Sequence, residues 1–514
     1  MRLTQSLCRA VQVRPHGLAT IDGARRQTWE EVSRRVARLA GGLLARGLAP
    51  GDRVAVLAHN CDLFFETYFA ILWAGAVIVP LNTRLRVEEL RAQLADSGAR
   101  MLFFGAEFAP VVAALRREPA LGLACIGLDG AGEPADQGIE DLIAGHGPAA
   151  EVPREGSDLA GIFYTSGTSG RPKGVMLTHG NLAAMAVNLV MCIQVDEDCV
   201  ILHCAPMFHL GDIGTFMATM VAGTHVFVRQ LNEAKILELI ARERITHLCT
   251  VPAVIDRLAK HPASATTDVS SLRALGYGGA PMPLGTYEVA RQRFPGVDFI
   301  QGFGLTEMPS HTFLGPRHHR PGADPEKMKS AGQASYGFEV MVVGPDGREL
   351  PRRQVGEIIG RGDNVMAGYW RQPEETAKVL REGWLYTQDV GFMDEDGFVY
   401  ITDRKKDMII TGAENVYSIE VENVVSRHPS VDECAVIGVP DERWGERVHA
   451  IVVLKAGAQL DFPALDAFCR EQLATYKCPR SLEIRAERLP RSAAGKVLKR
   501  DLRAPHWSGR ERAV

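Results

Sequence analysis

The sequence lacks several features that would place a protein in a class at once. It has no long hydrophobic run, its ten cysteines form no CxxC pair, and neither sign of charge dominates. Lysine plus arginine number 58 and aspartate plus glutamate 62, for a net charge of −4. This balance gives no support to nucleic-acid binding, and the scattered cysteines argue against a zinc ribbon or a thioredoxin-type motif.

Membrane and secretion signals are also missing. The longest weakly polar stretch, around residues 68–81, contains a glycine and a proline and is too short to span a bilayer. The first residues lack the apolar run of a signal peptide. We therefore expect a cytoplasmic protein without a transmembrane segment, whose cysteines are small buried side chains in a reducing compartment.

Helix and strand patterns alternate through the first half of the chain. Thr28 and Glu31 form a capping box that predicts an amphipathic helix through Leu44. Strand patterns at 53–58, 76–79, 100–104, 247–251, 272–275 and 298–300 are separated by helical ones. This alternation predicts an α/β fold, with a large N-terminal domain of doubly wound, mainly parallel sheets.

The pattern changes in the last third of the chain. Short apolar strands with Asp-Gly turns at 346–347 and 396–397 predict an antiparallel β subdomain from 338 to 404. After the charged run at 403–407, a helix pattern at 418–428 and strands at 434–439 and 449–454 predict a small α+β domain. We expect an N-terminal domain of residues 1–404 and a C-terminal domain of residues 405–514.

The most informative segment is a loop at residues 164–175 that is rich in glycine and hydroxyl groups. Gly167 and Gly170 let successive backbone N–H groups converge on an anion, and Lys173 adds a point charge for phosphate. Further donors come from Thr165, Ser166, Thr168 and Ser169. The loop is not a Walker A motif, because Lys173 is followed by Gly174 and an extended segment.

This loop resembles the signature of the adenylate-forming enzymes, which include acyl-CoA synthetases, amino-acid adenylation domains and luciferase-like proteins. Further segments resemble motifs of that family in the same order, at 203–209, 278–281, 301–307, 386–389, 403–407 and 490–496. The similarity spans nearly the whole chain. Two positions depart from the family pattern, Phe303 where Tyr is usual and Gln388 where Gly is common.

The resemblance implies an AMP-forming ligase that uses ATP, Mg²⁺ and CoA. The implied catalytic residues are Lys496, Glu307, Thr306 and His209, with Glu307 and Thr168 at the metal. The implied ATP and AMP contacts are Thr165, Ser166, Gly167, Thr168, Ser169, Gly170, Lys173, Gly279, Ala280, Pro281, Gln301, Gly302, Phe303, Gly304, Asp389, Ile401 and Arg404. Residues 1–404 would bind AMP and the acyl group.

The resemblance also implies that residues 405–514 form a mobile domain, which carries Lys496 and later faces CoA. Lys406 would be its hinge, and Gly412 would border the pantetheine tunnel. Trp444 and Tyr476 would stack on the CoA adenine. The expected partners are an acid, ATP and CoA, with no nucleic acid and with homodimerisation left open.

The identity of the acid is less constrained. His209 stands where amino-acid adenylation domains carry an Asp for the substrate ammonium, and no carrier domain follows Lys496, so we expect amino acids to be poor substrates. The expected acyl pocket consists of Met207, His209, Phe216, Tyr277 and Gly278, without an Arg for a second carboxylate. We favour a fatty acid, with an aryl or hydroxycinnamate acid as the alternative.

Functions outside this class stay open at this point. A phosphotransferase or ATPase would release ADP or phosphate instead of pyrophosphate. A non-catalytic nucleotide-binding protein is disfavoured because both Glu307 and Lys496 are present. A luciferase-like oxygenase would emit light with oxygen.

Overall fold

The computed structural model describes residues 1–130, 132–165, 172–404, 407–411, 414–491 and 497–508, with the backbone alone at 404 and 415. The chain divides into two compact units, Met1–Glu339 with Gly360–Leu385 and Val340–Ile359 with Tyr386–Val514. The predicted α/β class is confirmed. The predicted domain boundary at residue 404 stays a prediction.

A nine-stranded sheet lies in the described part of the first unit. Its strands, in spatial order, are Gln333–Ala334, Met308–Leu314, Asp298–Leu305, Ala274–Gly278, His247–Thr250, Val200–His203, Thr224–Phe227, Leu18–Asp22 and Arg25–Thr28. The six strands from Asp298–Leu305 to Leu18–Asp22 run parallel. The remaining pairings are antiparallel, so the carboxyl ends of the central strands share one edge.

An eight-stranded sheet lies in the same described part. Its spatial order is Gly368–Tyr369, Lys173–Thr178, Leu159–Thr165, Val77–Pro80, Arg53–Leu57, Met101–Phe104, Ala124–Gly127 and Gln137–Gly138. The strands from Leu159–Thr165 onward are parallel. The first two pairings are antiparallel, which places a hairpin next to a short edge strand.

Helices connect these strands. They are Thr4–Val13, Trp29–Ala45, Asp62–Trp73, Val87–Ser97, Ala109–Arg116, Ile139–Gly145, His179–Ile193, Gly214–Met220, Glu233–Arg242, Pro252–Lys260, Leu284–Arg293 and Pro373–Val379, with 3-10 helices at Ala106–Phe108, Pro119–Leu121, Pro262–Ala265, Pro316–His318 and Lys327–Lys329. The predicted capping box forms, since the Glu31 carboxylate accepts from the Thr28 amide at 2.8 Å. No sequence signal predicted the first helix.

The main apolar core of the first unit gathers side chains from helices and from both sheets. Trp29, Phe64, Phe65 and Phe69 are completely buried in it. Burying one such side chain contributes about 1.5–3 kcal/mol. The core therefore holds the strand ends in fixed positions, and the loops beyond those ends carry the candidate site.

The strands Phe338–Val343, Gly356–Gly362 and Trp384–Met393 lead the chain from one unit into the other. They form a sheet with Leu380–Arg381 and Val399–Arg404, and the antiparallel pairings of Trp384–Met393 agree with the predicted subdomain. The last sheet contains Glu414–Val416, Ile409–Thr411, Gly445–Leu454, Val431–Asp441 and Ser481–Arg485. Its helices are Ser418–Val425, Phe462–Arg470 and Lys499–Arg503, followed by the 3-10 helix Ala504–Trp507.

The described residues also bear on membrane-spanning helices and on the state of the cysteines. Among them, no helix combines the length and the apolar character needed to cross a membrane. All ten cysteines are free thiols. Cys8 is exposed, so the expectation of buried cysteines was wrong at this position.

Candidate active site

The Gly-rich loop connects two antiparallel strands, and the second of them agrees with the extended segment predicted after Lys173. Leu159–Thr165 pairs with Lys173–Thr178, and Thr165 lies opposite Lys173 in the ladder. Thr165 and Lys173 therefore stand together where the loop begins and ends.

Lys173 is held at this position by a carboxylate and an aromatic ring. Its Nζ donates to the Glu375 carboxylate at 2.7 Å and lies 4.8 Å from the centre of the Tyr369 ring. Only 9% of Lys173 is exposed. Hydrogen bonds from Lys173 and then Lys378 lower the pKa of Glu375 to about 2, so this carboxylate stays ionised and balances the buried ammonium.

Glu307 is the second fixed charge of the site. It occupies the two-residue turn between Asp298–Leu305 and Met308–Leu314. Its Oε1 accepts a hydrogen bond from the Tyr369 hydroxyl at 2.8 Å, and its carbonyl accepts from the Met366 amide at 2.9 Å.

Tyr369 therefore contacts both the loop lysine and the carboxylate expected at the metal. It is brought there because Gly368–Tyr369 adds an edge strand that pairs Tyr369 with Val175. Burial, followed by the charge of Glu307, raises the pKa of Tyr369, which keeps its hydroxyl a donor. No motif in the sequence marked Tyr369, since its position depends on a pairing between distant segments.

Two segments that are expected to contact AMP meet at their glycines. Gly278 pairs with Gly302 on neighbouring parallel strands, and a Cβ on Gly278 would lie 2.6 Å from the Gly302 carbonyl oxygen. Glycine is needed here for the close approach of two backbones. Gly279, Ala280 and Pro281 follow as an exposed loop. The structure thus brings segments 278–281 and 301–304 together.

Phe303 lies on the strand Asp298–Leu305, and its ring contacts a histidine ring. Its ring is 4.6 Å from that of His311, which is fully buried. Burial lowers the pKa of His311 to about 4, so the ring is neutral at physiological pH. His311 Nδ1 lies 3.2 Å from the Met308 carbonyl, while Nε2 has no hydrogen-bond partner in the described part of the chain.

Asp389 and Arg404 are partners across two antiparallel strands of the second unit. Asp389 is 2% exposed, and its amide donates to the Thr387 hydroxyl at 3.1 Å. Ile401 lies on the same strand as Arg404. The strand pairing thus places three of the expected AMP contacts on two neighbouring strands.

Gln388, one of the two departures from the family pattern, has a left-handed backbone with φ of +62°. Its amide donates to the Glu357 carboxylate at 3.1 Å. A residue with a Cβ pays about 1–2 kcal/mol for this conformation, which glycine adopts freely. The chain therefore keeps the glycine conformation beside Asp389 despite the substitution.

The turn that carries Met207 and His209 is fixed by Asn60. The Asn60 amide donates to the carbonyls of His203 at 2.9 Å and Ala205 at 2.8 Å. Its Oδ1 accepts from the Met207 amide at 2.9 Å. Asn60 was not predicted, because it lies on a different strand–helix connection far away in the sequence.

Phe216 belongs to the same apolar cluster as Met207 and Tyr68. The Tyr68 ring lies 5.7 Å from that of Phe216, and the buried Tyr68 hydroxyl has no hydrogen-bond partner among the described residues. Tyr277 lies in another cluster, and its hydroxyl contacts Gln301 at 3.2 Å. The structure places Met207 and Phe216 in one apolar cluster and Tyr277 in another, so the acyl pocket with Tyr277 stays a prediction.

Two family models cover most of the chain. The model described as AMP-binding enzyme matches residues 7–370, and that described as AMP-binding enzyme C-terminal domain matches residues 420–496. The chain belongs to the AMP-binding, adenylate-forming enzymes. The resemblance inferred from the seven motifs is thereby confirmed.

Relatives and solved structures place this AMP-binding enzyme among the CoA ligases. It is 42% identical to a feruloyl-CoA synthase of Amycolatopsis sp, over 96% of this chain and 97% of the relative. It is 36% identical to the long-chain-fatty-acid–CoA ligase FadD13 of Mycobacterium tuberculosis, over 93% of each. ATP-bound MatB from Rhodopseudomonas palustris superposes with a TM-score of 0.89 at 33% identity, covering 98% and 99% of the two chains. The protein is an AMP-forming carboxylate–CoA ligase.

Cations lie beside the two aromatic residues of the ligase that are expected to face CoA. The guanidinium carbons of Arg443 and Arg480 are 4.7 Å and 5.1 Å from the centre of the Trp444 ring. Lys477 Nζ lies 5.7 Å from the ring of Tyr476, which is 36% exposed. Aromatic faces beside cations suit a phosphorylated adenine nucleotide. The sequence had suggested the aromatics but not the three cations.

A chain of buried polar side chains in the ligase was also missed. His203 Nδ1 lies 2.9 Å from both Asp212 carboxylate oxygens, and His203 Nε2 lies 2.9 Å from His225 Nδ1. The Thr219 hydroxyl is 3.2 Å from His225 Nε2. Burial lowers the pKa of His225 well below its usual value. Such a satisfied network fixes the position of Asp212, close to the turn of Met207.

Several predicted residues lie outside the described part of the ligase. These are Ser166, Gly167, Thr168, Ser169, Gly170, Lys406, Gly412 and Lys496. The Arg404 side chain is also outside it. Their assigned roles stay predictions.

Proposed function

We propose that this ligase forms CoA thioesters of hydroxycinnamate-type aryl acids. The observation that carries the proposal is the 42% identity with two proteins named feruloyl-CoA synthase, each matched over 96% of this chain. The fatty acid favoured from the sequence is not confirmed. The aryl alternative fits the relatives at least as well.

A buried hydroxyl beside the expected acyl pocket supports an aromatic acid with ring oxygens. The Tyr68 hydroxyl, beside Phe216, is buried and has no hydrogen-bond partner among the described residues. A buried polar group without a partner costs about 1–3 kcal/mol. A phenol or methoxy oxygen can supply a partner, whereas an alkyl chain cannot.

The proposed reaction has two displacement steps. A carboxylate oxygen attacks the α-phosphorus of ATP, the bond to the bridging oxygen breaks, and pyrophosphate leaves. The CoA thiolate then attacks the acyl carbon, and AMP leaves with the oxygen that came from the acid. The first step joins two anions, so fixed cations aimed at the phosphates lower its barrier. Lys173 is the described cation at the loop.

The donor set at Glu307 fits a magnesium ion brought in with ATP. Mg²⁺ prefers one or two carboxylates together with phosphate and water oxygens. One oxygen of Glu307 accepts from Tyr369, which leaves the other for the ion. In this proposal Glu307 would hold the ion, which would supply positive charge to the phosphates, and Thr168 would be its second contact.

A fatty acid is the second candidate. It is favoured by the 36% identity with FadD13 over 93% of the chain and by the apolar character of the cluster around Met207 and Phe216.

A panel of acids distinguishes the two candidates. Pyrophosphate release is measured with ferulate, 4-coumarate, cinnamate, octanoate and palmitate, with and without CoA. We expect ferulate and 4-coumarate to exceed cinnamate and both fatty acids in kcat/KM. A clear preference for octanoate or palmitate would contradict the aryl assignment.

Tyr68→Phe tests the contribution of the pocket hydroxyl. Because this hydroxyl has no hydrogen-bond partner in the part of the chain that the structure describes, we expect no loss of thermal stability, but a reduced preference for ferulate over cinnamate. Tyr287→Phe is the matched control, since its hydroxyl donates to the His319 carbonyl. The control should lower stability and leave the preference unchanged. An unchanged preference in Tyr68→Phe would remove this hydroxyl from the pocket.

A further inference from the structure

Three potential metal ligands gather in the second unit, outside every segment assigned to catalysis. His449 and Glu483 lie on neighbouring parallel strands, and His506 lies on the 3-10 helix Ala504–Trp507. One ligand atom from each residue lies within 4.8 Å of the others.

The spacing suits a small transition-metal ion. Glu483 Oε2 lies 3.7 Å from His449 Nε2 and 3.8 Å from His506 Nε2. A tetrahedral zinc ion at about 2.0–2.1 Å from its ligands separates neighbouring ligand atoms by roughly 3.4 Å. Small side-chain rotations therefore suffice to bring the three atoms to bonding distance.

His449 is already oriented as a metal-binding histidine. It is 6% exposed, and its buried Nε2 has no hydrogen-bond partner among the described residues. Its Nδ1 lies 2.7 Å from the hydroxyl of Ser481, which is its partner in the strand register. A hydrogen bond at one ring nitrogen fixes the tautomer and leaves the other nitrogen for the metal. The buried Nε2 therefore faces Glu483 at a distance too long for a hydrogen bond, which suits a cation bound between them.

The two carboxylate oxygens of Glu483 have different neighbours. Oε1 lies 3.5 Å from Arg485 Nε, while Oε2 faces both histidines. The side chains of Glu483 and His506 are 39% and 31% exposed. The site is thus open on one side, where a water molecule can complete the coordination.

We propose that His449 Nε2, His506 Nε2 and Glu483 Oε2 bind a divalent transition metal, with zinc the best fit. Two imidazoles and one carboxylate favour zinc over magnesium, which prefers oxygen ligands. The ion would tie the 3-10 helix to the sheet. Because residue 496 lies in the chain between Glu483 and His506, the ion would constrain both ends of the segment that carries the expected catalytic lysine.

Calorimetric titration of metal-free protein with Zn²⁺, in excess Mg²⁺ and without ATP, tests the site. We expect one tight binding event per chain and a higher thermal midpoint with Zn²⁺. Both effects should be lost in His449→Gln and in His506→Gln. Co²⁺ should give the visible absorption of a four-coordinate site in the wild type only.

His16→Gln is the matched control, because this exposed ring lies 3.8 Å from a single carboxylate oxygen of Glu30. It should keep the binding event. If His449→Gln fails to fold by circular dichroism, the half-exposed Glu483→Gln replaces it. No tight binding in the wild type, or equal binding in wild type and site variants, would overturn the proposal.

Discussion

Removing one hydroxyl group at Tyr369 tests how the active site is held together. Tyr369→Phe deletes the 2.8 Å hydrogen bond to Glu307 Oε1. It keeps the aromatic ring, which contacts the ammonium of Lys173. The variant therefore tests how the Glu307 carboxylate is positioned, while the contact that positions Lys173 is kept.

The expected loss follows from the type of hydrogen bond. A hydrogen bond to a charged group contributes about 1.5–3 kcal/mol. Glu307 is only half-buried, so water can partly replace the hydroxyl, and we expect the lower end of that range. Since 1.36 kcal/mol corresponds to a factor of ten, adenylation should slow about tenfold.

The assay follows pyrophosphate release at saturating acid while Mg²⁺ is varied. We expect the loss to be largest at limiting Mg²⁺ and to shrink as the ion saturates. Tyr400→Phe is the control, because it removes a comparable hydroxyl bond, at 3.1 Å, to Asp394 in the other unit. Unchanged Mg²⁺ dependence in Tyr369→Phe, or an equal loss in the control, would refute the reasoning.

Three further outcomes are expected. Gln388→Gly should raise the thermal midpoint of unfolding, because it relieves a left-handed backbone conformation that costs about 1 kcal/mol. A lower midpoint would show that the Gln388 side chain stabilises the fold. Burial raises the pKa of Asp62 to about 7, so the folded state disfavours its charge and loses stability as the pH rises from about 4 to 7. Asp62→Asn should therefore gain stability over wild type at pH 8 and none at pH 4, as measured by denaturant titration. Trp444→Ala should raise the KM for CoA about tenfold, because stacking on a base contributes roughly 1–3 kcal/mol. The same variant should leave pyrophosphate exchange unchanged. An unchanged KM for CoA would remove Trp444 from the CoA site.

Local sequence signals predicted the parts of the fold that depend on neighbouring residues. The capping box at Thr28 forms as expected. The Gly-rich loop lies between two strands, and the helix and strand alternation gives doubly wound sheets. Each of these depends on hydrogen bonds or periodicity within one short stretch, which is why the sequence reveals it.

Interactions between distant segments could not be read from the sequence. Tyr369 reaches Glu307 only through an edge-strand pairing, and Asn60 fixes the turn of Met207 from another connection. His449 meets Ser481 and Glu483 because their two strands pair in a particular register. Isolated tyrosines, asparagines and histidines carry no sequence pattern that distinguishes these positions from surface ones.

Oxygen-18 labelling of the acid tests the central claim most directly. Ferulate labelled in both carboxylate oxygens is incubated with ATP, Mg²⁺, CoA and the enzyme, and the nucleotide product is analysed by mass spectrometry. If the carboxylate attacks the α-phosphorus and CoA then displaces AMP, the product is AMP carrying one labelled oxygen, formed together with feruloyl-CoA. Formation of ADP, or of AMP without label, would contradict an AMP-forming aryl-CoA ligase.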